Sequence, residues 1–171
     1  MATDIHIDHE IRCDAETFWD KVFFDVEYNK GLYLGALKFP KWEQLSLDDR
    51  GTSLFRKVRA TPPQDAPGPI KKMLGGEFWY DEEATFDKAT KRLRFKNIPS
   101  KMTDKIRIEG TMRADPTPAG RIRRIADITL SVSIFGLGGM VENFVADMLR
   151  KSFDRGARFT SEWAEKKGWS K

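Results

Sequence analysis

The sequence predicts an α+β fold, an antiparallel sheet of hairpin-connected strands with helices kept apart from it. Three observations carry this. Asp4 to Cys13 alternates strictly between apolar and polar residues. Strand-like runs punctuated by turn residues then recur between positions 42 and 134. Finally, a hinge, Gly136-Leu137-Gly138-Gly139, opens an amphipathic helical run of about 28 residues, about 40 Å long at 1.5 Å per residue.

In the first strand, Ile5, Ile7, His9, Ile11 and Cys13 share one face, the pattern of a half-buried strand. Asp14 is placed to cap a helix, with Glu16 favourable in its first turn. Phe18, Trp19, Val22 and Phe23 have helical spacing. Residues 27–38, with Gly31 and Gly35, read as a broken second helix or a loop.

Trp42–Leu47 and Leu54–Arg59 form a hairpin around Asp48-Asp49-Arg50-Gly51. The segment TPPQDAPGP at 61–69 is broken by its prolines, and loops of this kind often rim a site. Ile70–Leu74 reads as one helical turn closed by Gly75 and Gly76. Two more hairpins follow, Phe78–Asp87 with Arg92–Ile98, and Ile106–Arg113 with Ile122–Ile134. No repeat or linker divides the chain, so residues 1–171 are expected to form a single domain.

The long helix carries an apolar stripe of Val141, Phe144, Val145, Met148, Leu149, Phe159 and Trp163, with Ser152 and Gly156 inside it. Asn143, Asp147, Arg150, Asp154, Arg158, Ser161 and Glu165 are predicted to point away. Gly156 costs about 1 kcal/mol against alanine in a helix. Either close backbone packing against the sheet or room for a ligand offsets that cost. On the strands, parity groups Phe78, Tyr80, Glu82, Ala84 and Phe86; Leu93, Phe95 and Asn97; Ile106, Ile108, Gly110 and Met112; and Ile122, Arg124, Ala126, Ile128, Leu130, Val132 and Ile134. His9, Glu82, Asn97 and Arg124 are therefore polar residues on apolar faces. They must pair with one another, reach water at strand ends, or orient a ligand.

Composition supports a folded chain, with 40% hydrophobic and 33% charged residues, twelve Phe and five Trp. The net charge of +4 arises wholly from residues 121–171, where Arg121, Arg123, Arg124, Arg150, Lys151, Arg155 and Arg158 lie. That excess is too dispersed for a nucleic-acid surface, and no nucleic-acid partner is expected. The N-terminus lacks a signal-peptide core and no run reaches about 20 apolar residues, so a cytoplasmic location is expected. The single cysteine, Cys13, excludes an intrachain disulfide.

No nucleophile elbow, phosphate-binding loop or HExxH zinc motif occurs. His6 and His9 fall on opposite strand faces, and His9 and Cys13 stand about 13 Å apart along the strand. No metal, cofactor or catalytic residue is assigned. Acid–base work is possible in principle: Glu82 and His9, if both line a pocket, could shift in pKa through desolvation.

The first strand DIHIDHEIRC, the capped helix DAETFWDKVF, the antiparallel meander and the ending IFGLGGMVENFVADMLRKSFDRGARFTSEWAEKKG resemble the START-like superfamily, also called SRPBCC or helix-grip proteins. The ending, with Glu142 after its glycine-rich entry, looks most like a bacterial branch of unknown function. The resemblance covers nearly the whole chain. It implies a curved seven-stranded sheet wrapped on the long helix, two short helices after the first strand, and a hydrophobic cavity between them. No shared catalytic set carries over.

The expected function is therefore binding, as carrier or sensor, of a small hydrophobic ligand or lipid. The expected lining is Phe78, Tyr80, Phe95, Ile108, Met112, Leu130, Phe144, Met148 and Phe159, with Glu82 or Arg124 orienting the ligand and Gly156 leaving room for it. The alternatives are a cyclase- or hydrolase-like enzyme on the same scaffold, and an interaction module that contacts a partner protein or, transiently, a membrane through Leu32, Tyr33, Leu34 and the 61–76 loop.

Overall fold

The structure, a computed structural model, describes residues 2–171. Strand β1 (Ala2–Ile11) leads to α1 (Ala15–Thr17), whose helix continues with π-type hydrogen bonding over Phe18–Phe23. Helix α2 (Val26–Lys30) continues likewise over Gly31–Ala36. Then come β2 (Lys41–Asp49), β3 (Ser53–Thr61), α3 (Gly68–Leu74), β4 (Tyr80–Asp87), β5 (Arg92–Pro99), β6 (Ile106–Pro116), β7 (Ile122–Val132) and α4 (Gly138–Lys166).

The seven strands form one antiparallel sheet in the order β1-β7-β6-β5-β4-β3-β2. β1 therefore pairs with β7, and the two ends of the chain meet at one side. α4 packs chiefly on β1 and β7 and on the Gly31–Ala36 turn. This is the helix-grip α+β architecture expected from the sequence.

The capping expectation is realised: Thr17 N–H donates to the Asp14 carboxylate at 2.8 Å, and a second cap links Tyr28 N–H to Asp25 at 2.8 Å. Residues 27–38 are mostly helical, not loop. β4 begins at Tyr80, two residues after the expected start, and β6 runs on to Pro116. β7 ends at Val132, because Gly136 takes a left-handed φ of 74° in the hinge that turns the chain into α4.

Alternation sorts the two sheet faces. Inward residues of β1 and β7 are nearly inaccessible, with Ile11, Ile122 and Leu130 each at 0% exposure. The outward face carries cross-strand ion pairs. Arg59 and Asp81, directly opposed on β3 and β4, share two hydrogen bonds of 2.8 and 3.0 Å. Gly110 on β6 permits a close approach of strands. A β-carbon there would stand 2.6 Å from the Asp127 carbonyl oxygen and 2.9 Å from the Phe95 ring.

The basic residues of the last third do not make one patch. Arg121 pairs with Glu10 and Arg123 with Asp8, Lys151 and Arg158 pair along α4 with Asp147 and Asp154, and Arg124 is buried. Ser161 was expected on the outer face of α4. It is buried at 6% exposure, because its hydroxyl accepts the Arg12 backbone N–H at 3.1 Å where α4 crosses the end of β1.

Candidate functional site

A cavity of about 170 Å³ lies between the inner face of the sheet, the middle of α4 and the short helical segments. The sheet supplies Arg56, Tyr80, Glu82, Leu93, Phe95, Asn97, Ile106, Ile108, Met112 and Arg124. α4 supplies Val145, Met148, Leu149, Ser152, Phe153 and Gly156, and the helical segments close one end with Phe18, Phe23, Tyr28, Asn29, Leu32 and Tyr33. Most of the wall is apolar. An apolar cavity of about 150 Å³ is large enough to hold benzene.

Phe78, Tyr80, Glu82, Phe95, Ile108, Met112, Arg124, Met148 and Gly156 lie in this wall as the parity argument places them. Leu130, Phe144 and Phe159 do not. Leu130 is fully buried on β7, a strand on which α4 packs, and is not part of the cavity wall. Phe144 directly precedes Val145, the first cavity residue of α4, and faces an outer groove. Phe159 lies past the cavity and packs its ring on Tyr28 and Trp163 at centroid distances of 5.7 and 5.9 Å. Sequence reasoning missed Arg56 and the short-helix contributors. The alternation of Arg56 with the buried Val58 and Ala60 was the available signal for Arg56.

Two buried arginines line the cavity in different electrostatic states. Arg56, 3% exposed, donates to Glu82 Oε1 at 3.2 Å and to the Phe23 carbonyl at 3.0 Å, and lies over the Phe23 ring at 4.6 Å. Asn97 stands opposite Glu82 in the β4–β5 register, and its Oδ1 is buried without a hydrogen-bond partner. The phenols of Tyr33 and Tyr80 are held well above their ordinary range, chiefly by burial, with the Glu82 carboxylate adding to it. Both remain neutral at physiological pH.

Arg124, 6% exposed, donates to the Phe153 carbonyl at 2.7 Å and lies over the Phe153 ring at 4.9 Å. Its Nε is buried without a partner. Burial lowers its pKa, against the opposing influence of Tyr28 and Tyr33. The Tyr28 hydroxyl lies 2.6 Å from Thr160 Oγ1, which donates to the Gly156 carbonyl at 2.6 Å. Thr160 has thus spent its proton, and Tyr28 is the donor of the pair.

His9 does not share the cavity. It opposes Arg124 in the β1–β7 register and faces a shallow surface depression, with Nε2 3.6 Å from Asp154. His9 and Glu82, the acid–base candidates of the enzymatic alternative, are therefore not brought together. Cys13 is buried, and its thiol is pushed up to about 12, first by burial and then by Asp14.

An outer groove of about 470 Å³ runs between the 62–78 segment and the first turns of α4. Phe78, Ile106, Val145 and Met148 line both groove and cavity, so these four side chains form the partition between them. Pro62, Pro63, Gln64 and Ala66 line the groove, but the break in regular structure is shorter than 61–69, because Thr61 ends β3 and Pro69 sits in the first turn of α3. Among the described residues, no cluster of three His, Cys, Asp or Glu is placed to hold a metal ion, and no helix is long and apolar enough to cross a membrane.

A seven-stranded antiparallel sheet gripping a long C-terminal helix over an apolar cavity is the helix-grip fold. Solved structures agree over nearly the full chain. The Zhui aromatase/cyclase from Streptomyces sp. R1128 superposes with a TM-score of 0.68 at 12% identity, covering 96% of this chain and 94% of that one. A norcoclaurine synthase point mutant from Thalictrum flavum, in complex with a transition-state analogue, gives 0.64 at 18% identity, with 95% and 96% covered. TTHA0849 from Thermus thermophilus gives 0.62 at 17%, with 94% and 95% covered. No functionally curated protein matches the sequence. Residues 7–164 match the family described as protein of unknown function (DUF2505), and the chain belongs to that family.

Proposed function

We propose that this protein binds a small hydrophobic molecule, as carrier or sensor, in the cavity between sheet and α4. The observation that carries the reading is the cavity itself, an apolar space of about 170 Å³ left open beneath a helix whose other stretches pack directly on the sheet. Burial of ligand surface supplies about 25 cal/mol per Å² before ordering costs. On the scale at which about 150 Å³ holds benzene, the volume suits one ring. A larger ligand or a lipid would extend past Phe78 and Met148 into the outer groove.

The test is titration with the fluorescent probe 1-anilinonaphthalene-8-sulfonate, followed by competition with a lipid extract. Saturable, displaceable binding that Ile108→Trp abolishes supports the reading. Binding that is not displaced, or that survives filling of the cavity, contradicts it.

A second reading is an enzyme on the same scaffold. Arg56, Glu82 and Asn97 converge at one end of the cavity, and two of the structural neighbours are an aromatase/cyclase and a norcoclaurine synthase. Under this reading Glu82→Gln abolishes turnover of a bound substrate while leaving its affinity nearly unchanged.

A further inference from the structure

The two buried arginines provide an internal comparison. Arg56 has its carboxylate, Glu82, at 3.2 Å. Arg124 has none: among the described residues no carboxylate forms an ion pair with it. The acid on the adjoining turn of α4 is committed elsewhere, since Asp154 pairs with Arg158 at 3.0 Å and approaches His9. His9, directly across the β1–β7 ladder, offers no negative charge. Tyr28, a neutral phenol that donates a hydrogen bond to Thr160, brings none either.

A buried cation without a counter-ion is expensive, and part of its cost persists unless an anion arrives. Arg124 lines the cavity, and its guanidinium borders the bare backbone of Gly156. A β-carbon at Gly156 would stand 3.7 Å from Arg124 Nη1 and 3.9 Å from Leu32 Cδ1. One Nη bond, one ring contact and an unpartnered Nε leave donor capacity on the guanidinium that the protein does not use.

We infer that the ligand of this cavity is an amphipathic organic acid, whose anionic oxygen is received by Arg124 and whose apolar body fills the space lined by Phe95, Ile108, Met112 and Met148. This rests on the binding reading above and adds the charge of the ligand. An oxygen acid supplies the missing counter-ion and accepts a charge-assisted hydrogen bond from the guanidinium.

The experiment compares acids with their neutral isosteres on the whole protein by calorimetry at pH 7.5. One pair is 2-naphthoate and 2-naphthamide, for a ring-bearing body. The other is octanoate and octanamide, for a chain. In whichever pair binds, the acid is expected to bind at least tenfold tighter than the amide. Arg124→Met should erase that preference without abolishing amide binding, and Arg124→Lys should retain part of it. Should the variants fail to fold, the wild-type preference still decides, together with the ¹⁵Nε–H resonance of Arg124. That resonance should move with the acid and not with the amide. Equal affinity for acid and amide overturns the inference and leaves the binding reading intact. Failure of all four compounds to bind overturns both.

Discussion

The Arg124 guanidinium borders Gly156: a β-carbon at position 156 would rest in van der Waals contact with Arg124 Nη1 at 3.7 Å and Leu32 Cδ1 at 3.9 Å. No backbone atom of the sheet is among these neighbours. Gly156 is therefore not there for backbone-to-backbone packing. It borders a buried charge and the cavity.

Those distances are ordinary van der Waals contact, so Gly156→Ala is expected to be tolerated. It should raise stability by up to about 1 kcal/mol through helix propensity. Gly156→Leu must displace Arg124 or fill the cavity. It is expected to weaken probe binding at least tenfold. Thermal melts and probe titrations of both variants check this, and a Leu variant with unchanged affinity would refute it.

Glu82→Ala strands the Arg56 guanidinium in the core. Loss of one partner of a buried pair costs about 3–5 kcal/mol. Glu82 keeps 15% side-chain exposure, which puts the expected loss at the lower end, about 3 kcal/mol. The double replacement Arg56→Met with Glu82→Leu should recover most of it in urea denaturation.

His9 introduces a pH dependence of stability. Its pKa is lowered from 6.5, first by burial and then by Arg124 and Arg123, while Asp154 and Asp8 act in the opposite sense. The unfolded chain therefore takes up this proton more readily than the folded one. Stability associated with His9 is full above about pH 6.5 and is lost as pH falls below it. The slope of unfolding free energy between pH 7 and 5.5 should flatten in His9→Gln.

Cys13 should be inert in the native protein. With its thiol pushed up to about 12 and its side chain buried, a disulfide reagent at pH 8 is expected to react only after denaturant is added. Rapid stoichiometric reaction of the folded protein would contradict the burial of the β1–α1 junction.

Much of this fold is legible because period-two alternation survives in every strand that faces α4. Parity alone places Phe78, Tyr80, Phe95, Ile108 and Met112 in the cavity wall. What parity cannot supply is the distance between helix and sheet. Leu130 shares a face with Arg124, yet it is fully buried on β7, a strand on which α4 packs, whereas Phe95, Ile108 and Met112 on β5 and β6 line the cavity. Helical periodicity has a similar limit. Phe144, Met148 and Phe159 share one stripe, but only Met148 sits at the level of the opening. The contributors from residues 18–33 were missed because their orientation follows from π-type turns set by tertiary packing, not by local propensity.

The central claim is that a ligand enters the space under α4. Six methionines make ε-methyl NMR the most direct test, because Met112 and Met148 line the cavity, Met73 lies in the outer groove, and Met102 and Met140 lie outside the cavity wall. Titration of methyl-labelled protein with 2-naphthoate is expected to shift Met112 and Met148 saturably, with little change at Met102 and Met140. Shifts confined to Met73 and Met140, or no saturable shift at Met112, would contradict the account.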